Sequence, residues 1–229
     1  MHPFSPAPLV QAYLRKVTDK RIFSGPFKGL YYVKQSVGSV YFPKILGIYE
    51  KELHGIFESK KEESFEKIIV IGAGEGYYAV GLAKKWKRPV MAFEEDNDGR
   101  QLITRLSLIN RVTVFVKGKF EADLDTKSGK DFIIMDVEGA EKELLSPERF
   151  LAWRSSVILV EVHSEPIRGL LQERSKYTHH SSFIPVTERT MADYPFQPPF
   201  KRLLRRWWSA SIQEWRSDSI GWLIFEPKA

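Results

Sequence analysis

From residue 67 onward, the chain alternates short apolar runs with segments of helical periodicity. The runs are continuous rather than alternating, which is typical of strands covered by helices on both faces. The predicted strands are Lys67–Ile71, Pro89–Glu94, Val112–Val116, Asp131–Asp136 and Ser156–Val162. Predicted helices are Tyr77–Trp86, a helix capped by Asn97, Ala140–Trp153 and Pro166–Tyr177. The pattern predicts an α/β fold with a doubly wound, mostly parallel sheet, in which Gly221–Phe225 adds an edge strand.

The first 66 residues have a different pattern. Helical spacing at Leu9–Asp19 and at Leu46–Ser59 flanks Phe23–Gly38, a stretch rich in glycine and aromatic residues that indicates short strands and turns. We therefore predict an N-terminal extension or cap at residues 1–66. A sheet domain follows at 67–229, and it includes a basic and aromatic segment at 199–216.

The composition is that of a globular protein, and it does not indicate an activity. The 229 residues are 43% hydrophobic and 28% charged, which suits a packed globular core. No apolar run approaches the roughly 18 residues of a transmembrane segment, and the N-terminus lacks signal-peptide features, so we expect a cytoplasmic protein. The absence of cysteine excludes disulfides, thiolate metal sites and cysteine nucleophiles. A net charge of +6 is compatible with an anionic partner. Nothing in the sequence indicates the oligomeric state.

The sharpest motif is a glycine loop between the first strand and helix of the sheet domain. Its residues, which could let a ligand approach the backbone closely, are Gly72, Ala73, Gly74 and Gly76. The N–H groups of the helix that follows could bind a carboxylate. Glu94 ends the second strand, where it could accept hydrogen bonds from both ribose hydroxyls, and Glu95 is a second candidate contact. The spacing G-x-G-x-G is one residue shorter than the dinucleotide fingerprint and resembles a methyltransferase motif. A glycine-rich turn without a ligand is the alternative.

Several strings together resemble the FkbM family of S-adenosylmethionine (SAM)-dependent methyltransferases. The most specific is Asp136-Val-Glu-Gly-Ala-Glu141 after the fourth strand, and the others are Gly72–Tyr78, Ala92–Glu94, Leu46–Glu50 and Val160–His163. The resemblance extends over Leu46–Ser164. It implies a Rossmann-like class I methyltransferase with a sheet of the seven-stranded type. It also implies SAM as the cofactor and O-methylation of a sugar or another small hydroxylated metabolite as the reaction. It also implies SAM contacts by the glycine loop, Glu94 and Asp136.

One position departs from the family pattern. The family usually has an aspartate two residues before the first glycine, where this chain has Val70, and Glu75 or Asp136 could replace it. The departure leaves open a non-catalytic member of the fold. A nucleic-acid (RNA) methyltransferase is favoured by the basic charge but disfavoured because the chain has neither an N-P-P-[YF]-type site nor a catalytic cysteine. A nicotinamide dehydrogenase is disfavoured by the glycine spacing.

Side chains with acid–base chemistry follow the fourth and fifth strands. Asp136 and Glu138 form one pair and Glu161 and His163 the next, and the i, i+2 spacing directs each pair to one side of the sheet. His163 is the predicted general base, because imidazole titrates near neutral pH. Glu138 would orient the substrate or the base, and Asp136 would contact SAM. Glu141 is interpreted as a cap of the next helix. Carboxylates with one histidine also suit a divalent cation, but the spacing requires none, and no metal site is predicted.

Three further features have competing interpretations. Tyr49 and Glu50 are candidate pocket contacts, with helix packing and a solvated face as the alternatives. His179-His180 is interpreted as part of a polar loop. In the segment 199–216, helical spacing predicts an apolar stripe of Leu204, Trp208, Ile212 and Trp215 beside the basic residues Lys201, Arg202, Arg205 and Arg206. This pattern suits a docked helix, or a surface for sugars, single-stranded nucleic acid or an anionic membrane. The expected acceptor is a small molecule or a glycan.

Overall fold

The computed structural model describes residues 7–33, 40–60, 64–121, 129–216 and 220–228. The chain divides into two compact units. The small unit comprises Met1–Glu58 and Thr187–Trp215, and the sheet unit comprises Ser59–Val186 and Arg216–Ala229. Residues 34–38 of the predicted strand-and-turn stretch lie outside the described residues. The boundary at residues 66 and 67 stays a prediction. None of the described helices has the length and apolar character to cross a membrane.

The elements have the following bounds. The helices are α1 (Pro8–Thr18), α2 (Tyr41–Leu46), α3 (His54–Ser59), α4 (Tyr77–Trp86), α5 (Asn97–Asn110), α6 (Glu141–Leu144), α7 (Pro147–Ala152), α8 (Glu165–Ser175) and α9 (Arg205–Ala210). The strands are β1 (Ile68–Ile71), β2 (Val90–Phe93), β3 (Val114–Lys117), β4 (Phe132–Met135), β5 (Val157–Val162), β6 (His179–Pro185) and β7 (Gly221–Pro227).

The sheet unit is built on a seven-stranded sheet in the order β3-β2-β1-β4-β5-β7-β6. The first five strands pair in parallel, and β7 is antiparallel to both β5 and β6. Every residue of β1, β4 and β5 is buried, because helices cover both faces of the parallel part. The predicted doubly wound, mostly parallel α/β sheet is therefore confirmed.

The end of the sheet differs from the prediction. The last strand, β7, lies between β5 and β6 rather than at the edge, and β6 is the edge strand. The polar-loop interpretation of His179-His180 is wrong, because both residues belong to β6. His179 is buried, and its Nε2 lies 3.2 Å from the carbonyl oxygen of Ser156. The four polar residues His179–Ser182 come first and only Phe183 and Ile184 are apolar, so the sequence shows no strand-like alternation.

Two predicted helix features are also corrected. The predicted helix at Ala140–Trp153 is two short helices, α6 and α7. Ser146 starts the second as its N-cap, accepting a hydrogen bond from the amide of Arg149 (3.2 Å). Asp96 rather than Asn97 caps α5, since its carboxylate accepts a hydrogen bond from the amide of Gly99 (2.7 Å).

The small unit has its own apolar core. Its members are Val10, Leu14, Leu46, Ile48, Tyr194, Trp208 and Ile212. Helix α1 matches the prediction, but the single helix predicted at Leu46–Ser59 does not form. Gly47 ends α2 in the left-handed conformation (φ 76°), and Glu50 also has a positive φ (44°) before a 3-10 turn at Lys51–Leu53 leads into α3.

The C-terminal segment of the small unit is less helical than expected. Only α9 is helical there, and Trp208 and Ile212 are buried with Leu204 partly buried beside them. Trp215 is 45% exposed, so its placement in the apolar stripe is wrong. The stripe therefore ends at Ile212, two residues beyond α9.

Candidate active site

The glycine loop ties the end of β1 to the end of β4. Gly72, Gly74 and Gly76 all have positive φ, and α4 begins directly after them. An ideal Cβ on Gly72 would lie 1.6 Å from the carbonyl oxygen of Asp136, so no larger residue fits there. The amide of Asp136 donates to the carbonyl oxygen of Ile71 (2.9 Å). The loop therefore lies directly beside the first of the predicted acid–base residues.

Glu94 is fixed between the glycine loop and α5. Its Oε2 accepts a hydrogen bond from the amide of Gly74 (2.6 Å), and its Oε1 accepts one from the amide of Asp96 (2.8 Å). Gly99 permits this approach, because a Cβ there would lie 2.8 Å from Cγ of Glu94. A carboxylate has about four lone-pair sites, so both oxygens can still accept a hydroxyl hydrogen. This geometry suits a pair of vicinal hydroxyls.

The predicted cofactor contacts Ala73 and Glu95 differ in their exposure to solvent. Ala73 is buried, and its amide donates to a carbonyl oxygen of β2 (3.0 Å). Glu95 is largely exposed and pairs with Lys119 (3.3 Å). Val70 is enclosed in the sheet at 1% exposure, and Glu75 is a carboxylate buried equally deeply within the loop. A carboxylate is therefore present near the first glycines, although not at position 70.

The predicted acid–base residues of β4 and β5 come together. Met135 and Val160 form the last registered pair of these strands, so Asp136 and Glu161 follow at the same level. One donor atom each from Asp136, Glu161 and His163 lies within 4.8 Å of the others. The i, i+2 spacing on β5 thus directs both of its side chains toward Asp136, as predicted from the strand period.

His163 contacts three carboxylates. Its Nε2 lies 3.4 Å from Oε2 of Glu138 and 3.8 Å from Oε2 of Glu161, and its Nδ1 lies 3.5 Å from Oε1 of Glu141. The Glu141 contact raises the pKa of His163 above 6.5; burial opposes this shift, and the charges of Glu161, Glu141 and Glu138 add to it. The ring is therefore a stronger base than free histidine and needs a higher pH to be neutral.

Glu141 has a larger part in the site than its sequence position suggested. Its side chain is fully buried, and its Oε1 accepts a hydrogen bond from the amide of Gly139 (3.1 Å) while it faces His163. Burial opposes ionisation of Glu141, but the contacts with His163 and Gly139 outweigh it and lower the pKa of the carboxyl. Glu141 therefore stays charged and faces the Nδ1 edge of the imidazole ring.

Two residues of this region were missed from the sequence. Arg216 forms an ion pair with Glu161, in which both side chains are almost entirely buried. Trp222, on β7, is the register partner of Glu161. Its Nε1 is buried and has no hydrogen-bond partner among the described residues. No motif marks either position, because their proximity depends on β7 inserting next to β5.

Negative charge exceeds positive charge in this cluster. Its carboxylates are Asp136, Glu138, Glu141 and Glu161, and its cationic side chains are His163 and Arg216. The spacing of Asp136, Glu161 and His163 could be bridged by a divalent cation. The same excess of negative charge would also stabilise a sulfonium or ammonium group of an organic ligand.

Tyr49 and Glu50 belong to the small unit. Tyr49 is buried, with Nζ of Lys44 4.9 Å from its ring centre. Glu50 is 1% exposed, so the alternative of a solvated face is wrong. The backbone amide of Glu50 donates to Oε1 of Glu214 (3.1 Å). Their contribution to a ligand pocket stays a prediction.

Comparison with solved structures shows the fold. A methyltransferase from Pyrococcus furiosus has a TM-score of 0.53 and 16% sequence identity, with 94% of each chain covered. Precorrin-6y C5,15-methyltransferase from Geobacter metallireducens has a TM-score of 0.48 and 14% identity, over 71% of this chain and 79% of that one. TYW2 from M. jannaschii, solved in complex with AdoMet, has a TM-score of 0.43 and 18% identity, over 72% and 70%. No family model and no curated protein sequence matches the chain. The chain has the Rossmann-like fold of class I methyltransferases.

Proposed function

We propose that the protein is a SAM-dependent methyltransferase that methylates a hydroxyl oxygen of a sugar or another small metabolite. The observation that carries this proposal is the position of His163. The ring lies among carboxylates at the end of β5, and its neighbour Asp136 touches the glycine loop. A proton acceptor thus lies beside a loop that suits a nucleoside ligand.

The sheet unit has a group for each polar part of SAM. Glu94 suits the ribose hydroxyls, and the amides at the start of α4 suit the carboxylate. The buried Glu75 or Asp136 suits the ammonium group, in place of an acid at position 70. The excess negative charge around His163 suits the sulfonium. When bound, SAM supplies an electrophilic methyl group on this sulfonium.

His163 provides the base for the acceptor. In its neutral form, Nε2 takes the hydroxyl proton, which leaves the acceptor oxygen free to attack. Glu141 fixes the ring from the Nδ1 side, and the largely exposed Glu138 orients the acceptor. In this proposal, the reacting oxygen has a base and an alignment group beside it.

Transfer of a labelled methyl group from SAM tests the proposal. We expect label in free sugars or small hydroxylated compounds, identified as O-methyl by mass spectrometry. His163→Gln should lower kcat/KM about a hundredfold or more, because general base catalysis contributes roughly 10²–10⁴-fold. His180→Gln, in which the substituted residue lies on the edge strand β6, is the matched control and should keep full activity.

Two outcomes would redirect the assignment. Label in RNA and not in small hydroxylated compounds would favour a nucleic-acid methyltransferase. Activity that a chelator abolishes and Mg²⁺ or Mn²⁺ restores would replace the base role of His163 with metal coordination. We expect activity that a chelator leaves unchanged.

A further inference from the structure

One surface of the small unit combines exposed apolar and basic side chains. This basic-apolar surface consists of Phe200, Lys201, Arg202, Leu203, Arg205, Arg206 and Trp207. Phe200 is 75% exposed, Leu203 78% and Trp207 39%. Phe200 also has a positive φ (49°), a conformation that is unfavourable for a bulky side chain. No burial of this residue within the fold compensates for the strain.

The orientation of this segment is fixed by the opposite side of α9. Trp208 is buried, its Nε1 donates to the carbonyl oxygen of Pro199 (3.1 Å), and its own carbonyl oxygen accepts from the hydroxyl of Tyr194 (3.0 Å). Ile212 is also fully buried. Trp208 and Ile212 therefore pack this segment against the rest of the small unit. The exposed side chains of Phe200, Leu203 and Trp207 are not needed for that packing.

Positive charge predominates on the surface. Residues 200–213 contain four cationic side chains and no aspartate or glutamate. Within the described ranges, Lys201, Arg202 and Arg205 have no ion-pair partner. The next acid along the chain, Glu214, is buried in an ion pair with Arg189. An anionic partner would complement this surface.

We propose that the basic-apolar surface binds the anionic face of a phospholipid bilayer. Cations flanking exposed tryptophan, phenylalanine and leucine suit the interface, where the apolar groups enter the headgroup region and the cations meet lipid phosphates. Single-stranded nucleic acid fits less well, because Leu203, the most exposed apolar residue of the surface, cannot stack on a base as an aromatic ring does. The inference goes beyond the proposed methyl transfer and does not depend on it.

Co-sedimentation of the full chain with vesicles tests the inference. Binding is expected to phosphatidylcholine vesicles that contain phosphatidylglycerol, and not to pure phosphatidylcholine. The triple variant Lys201→Gln, Arg202→Gln, Arg205→Gln should weaken binding about a hundredfold, from about fivefold per cation. Leu203→Ser should weaken it about tenfold, since an apolar contact is lost while the charge is unchanged.

The matched control removes the same charge elsewhere on the small unit. Lys16→Gln, Lys20→Gln, Lys28→Gln changes three exposed lysines outside the surface and should leave vesicle binding within about twofold, because screening limits long-range attraction at physiological salt. Equal thermal unfolding of all variants confirms that they are folded.

Three results would overturn the inference. The first is a protein that stays in the supernatant with anionic vesicles. The second is equal loss of binding in the two triple variants, which would indicate attraction by net charge alone. The third is displacement of the protein from anionic vesicles by single-stranded RNA at a nucleotide concentration below the concentration of anionic lipid. This result would assign the surface to nucleic acid.

Discussion

The charges around His163 set the pH at which its ring can accept a proton. Because the Glu141 contact raises the pKa of the ring above 6.5, the ring is mostly protonated at and below that pH. We therefore expect kcat/KM to rise with pH through a pKa above 6.5. The pH profile of methyl transfer measures this directly, and a rising limb centred below 6.5 would contradict it.

Glu141→Gln separates the positioning role of Glu141 from simple structural support. Loss of its charge should move the rising limb of the pH profile to lower pH, because the main cause of the raised pKa is removed. The plateau should also fall, since the ring is held less firmly. Glu143→Gln, at an exposed residue of the same helix, is the control and should leave the limb in place. An unmoved limb in Glu141→Gln would refute the assignment.

At the scale of elements, the close approach of β1 and β4 depends on Gly72. Gly72→Ala would place a methyl group against the carbonyl oxygen of Asp136 and impose a positive φ on alanine. We expect the free energy of unfolding to fall by about 2–5 kcal/mol. Overpacking accounts for about 1–3 kcal/mol of this loss and the left-handed conformation of alanine for about 1–2 kcal/mol. Urea unfolding measures it.

Gly74→Ala is the matched control for this clash. Gly74 has a positive φ as well, but a Cβ there meets no atom within 4 Å. It should therefore lose only the conformational part, about 1–2 kcal/mol. Equal losses in the two variants would show that the approach of β4 is not what restricts position 72.

The parallel strands could be predicted from the sequence, but the antiparallel end of the sheet could not. Continuous apolar runs identified β1, β2, β4 and β5, and the i, i+2 spacing correctly brought His163 and Glu161 to Asp136. The order of β6 and β7 could not be predicted, because β7 pairs with a strand that lies far earlier in the chain. Arg216 and Trp222 join the site only through that pairing, so no local pattern revealed them.

The helix ends depend on single residues, which the periodicity of apolar positions does not reveal. Ser146 and Asp96 start helices through hydrogen bonds to backbone amides. Gly47 and Glu50 interrupt an otherwise periodic stretch by adopting positive φ. Patterns of apolar spacing therefore located α1 and α4 well but predicted single helices at Leu46–Ser59 and Ala140–Trp153, where the chain is interrupted.

A buried ion cluster joins the two chain segments that form the small unit. Arg189 pairs with Glu52 and Glu214, and the side chains of all three are at most 5% exposed. Arg189→Met should destabilise the protein by about 3–5 kcal/mol, because two buried carboxylates lose their cation. Chemical unfolding measures the loss.

Lys51→Met provides the comparison for Arg189→Met. It breaks the Lys51–Asp193 pair of the same unit, in which the lysine side chain is 50% exposed. Such a pair contributes up to about 1 kcal/mol. If the two variants lost equal stability, the buried cluster would not be a main support of the small unit.

Calorimetric titration with SAM and S-adenosylhomocysteine, with NADH as a control, tests whether the protein binds the methyl donor. We expect saturable binding of both sulfur nucleosides and none of NADH. Glu94→Ala should weaken that binding at least about tenfold, because charged hydrogen bonds contribute roughly 1.5–3 kcal/mol, and Glu95→Ala, at the exposed neighbour, should weaken it far less. Absence of binding by the folded wild-type protein would contradict the assignment as a SAM-dependent methyltransferase and favour a non-catalytic member of the fold.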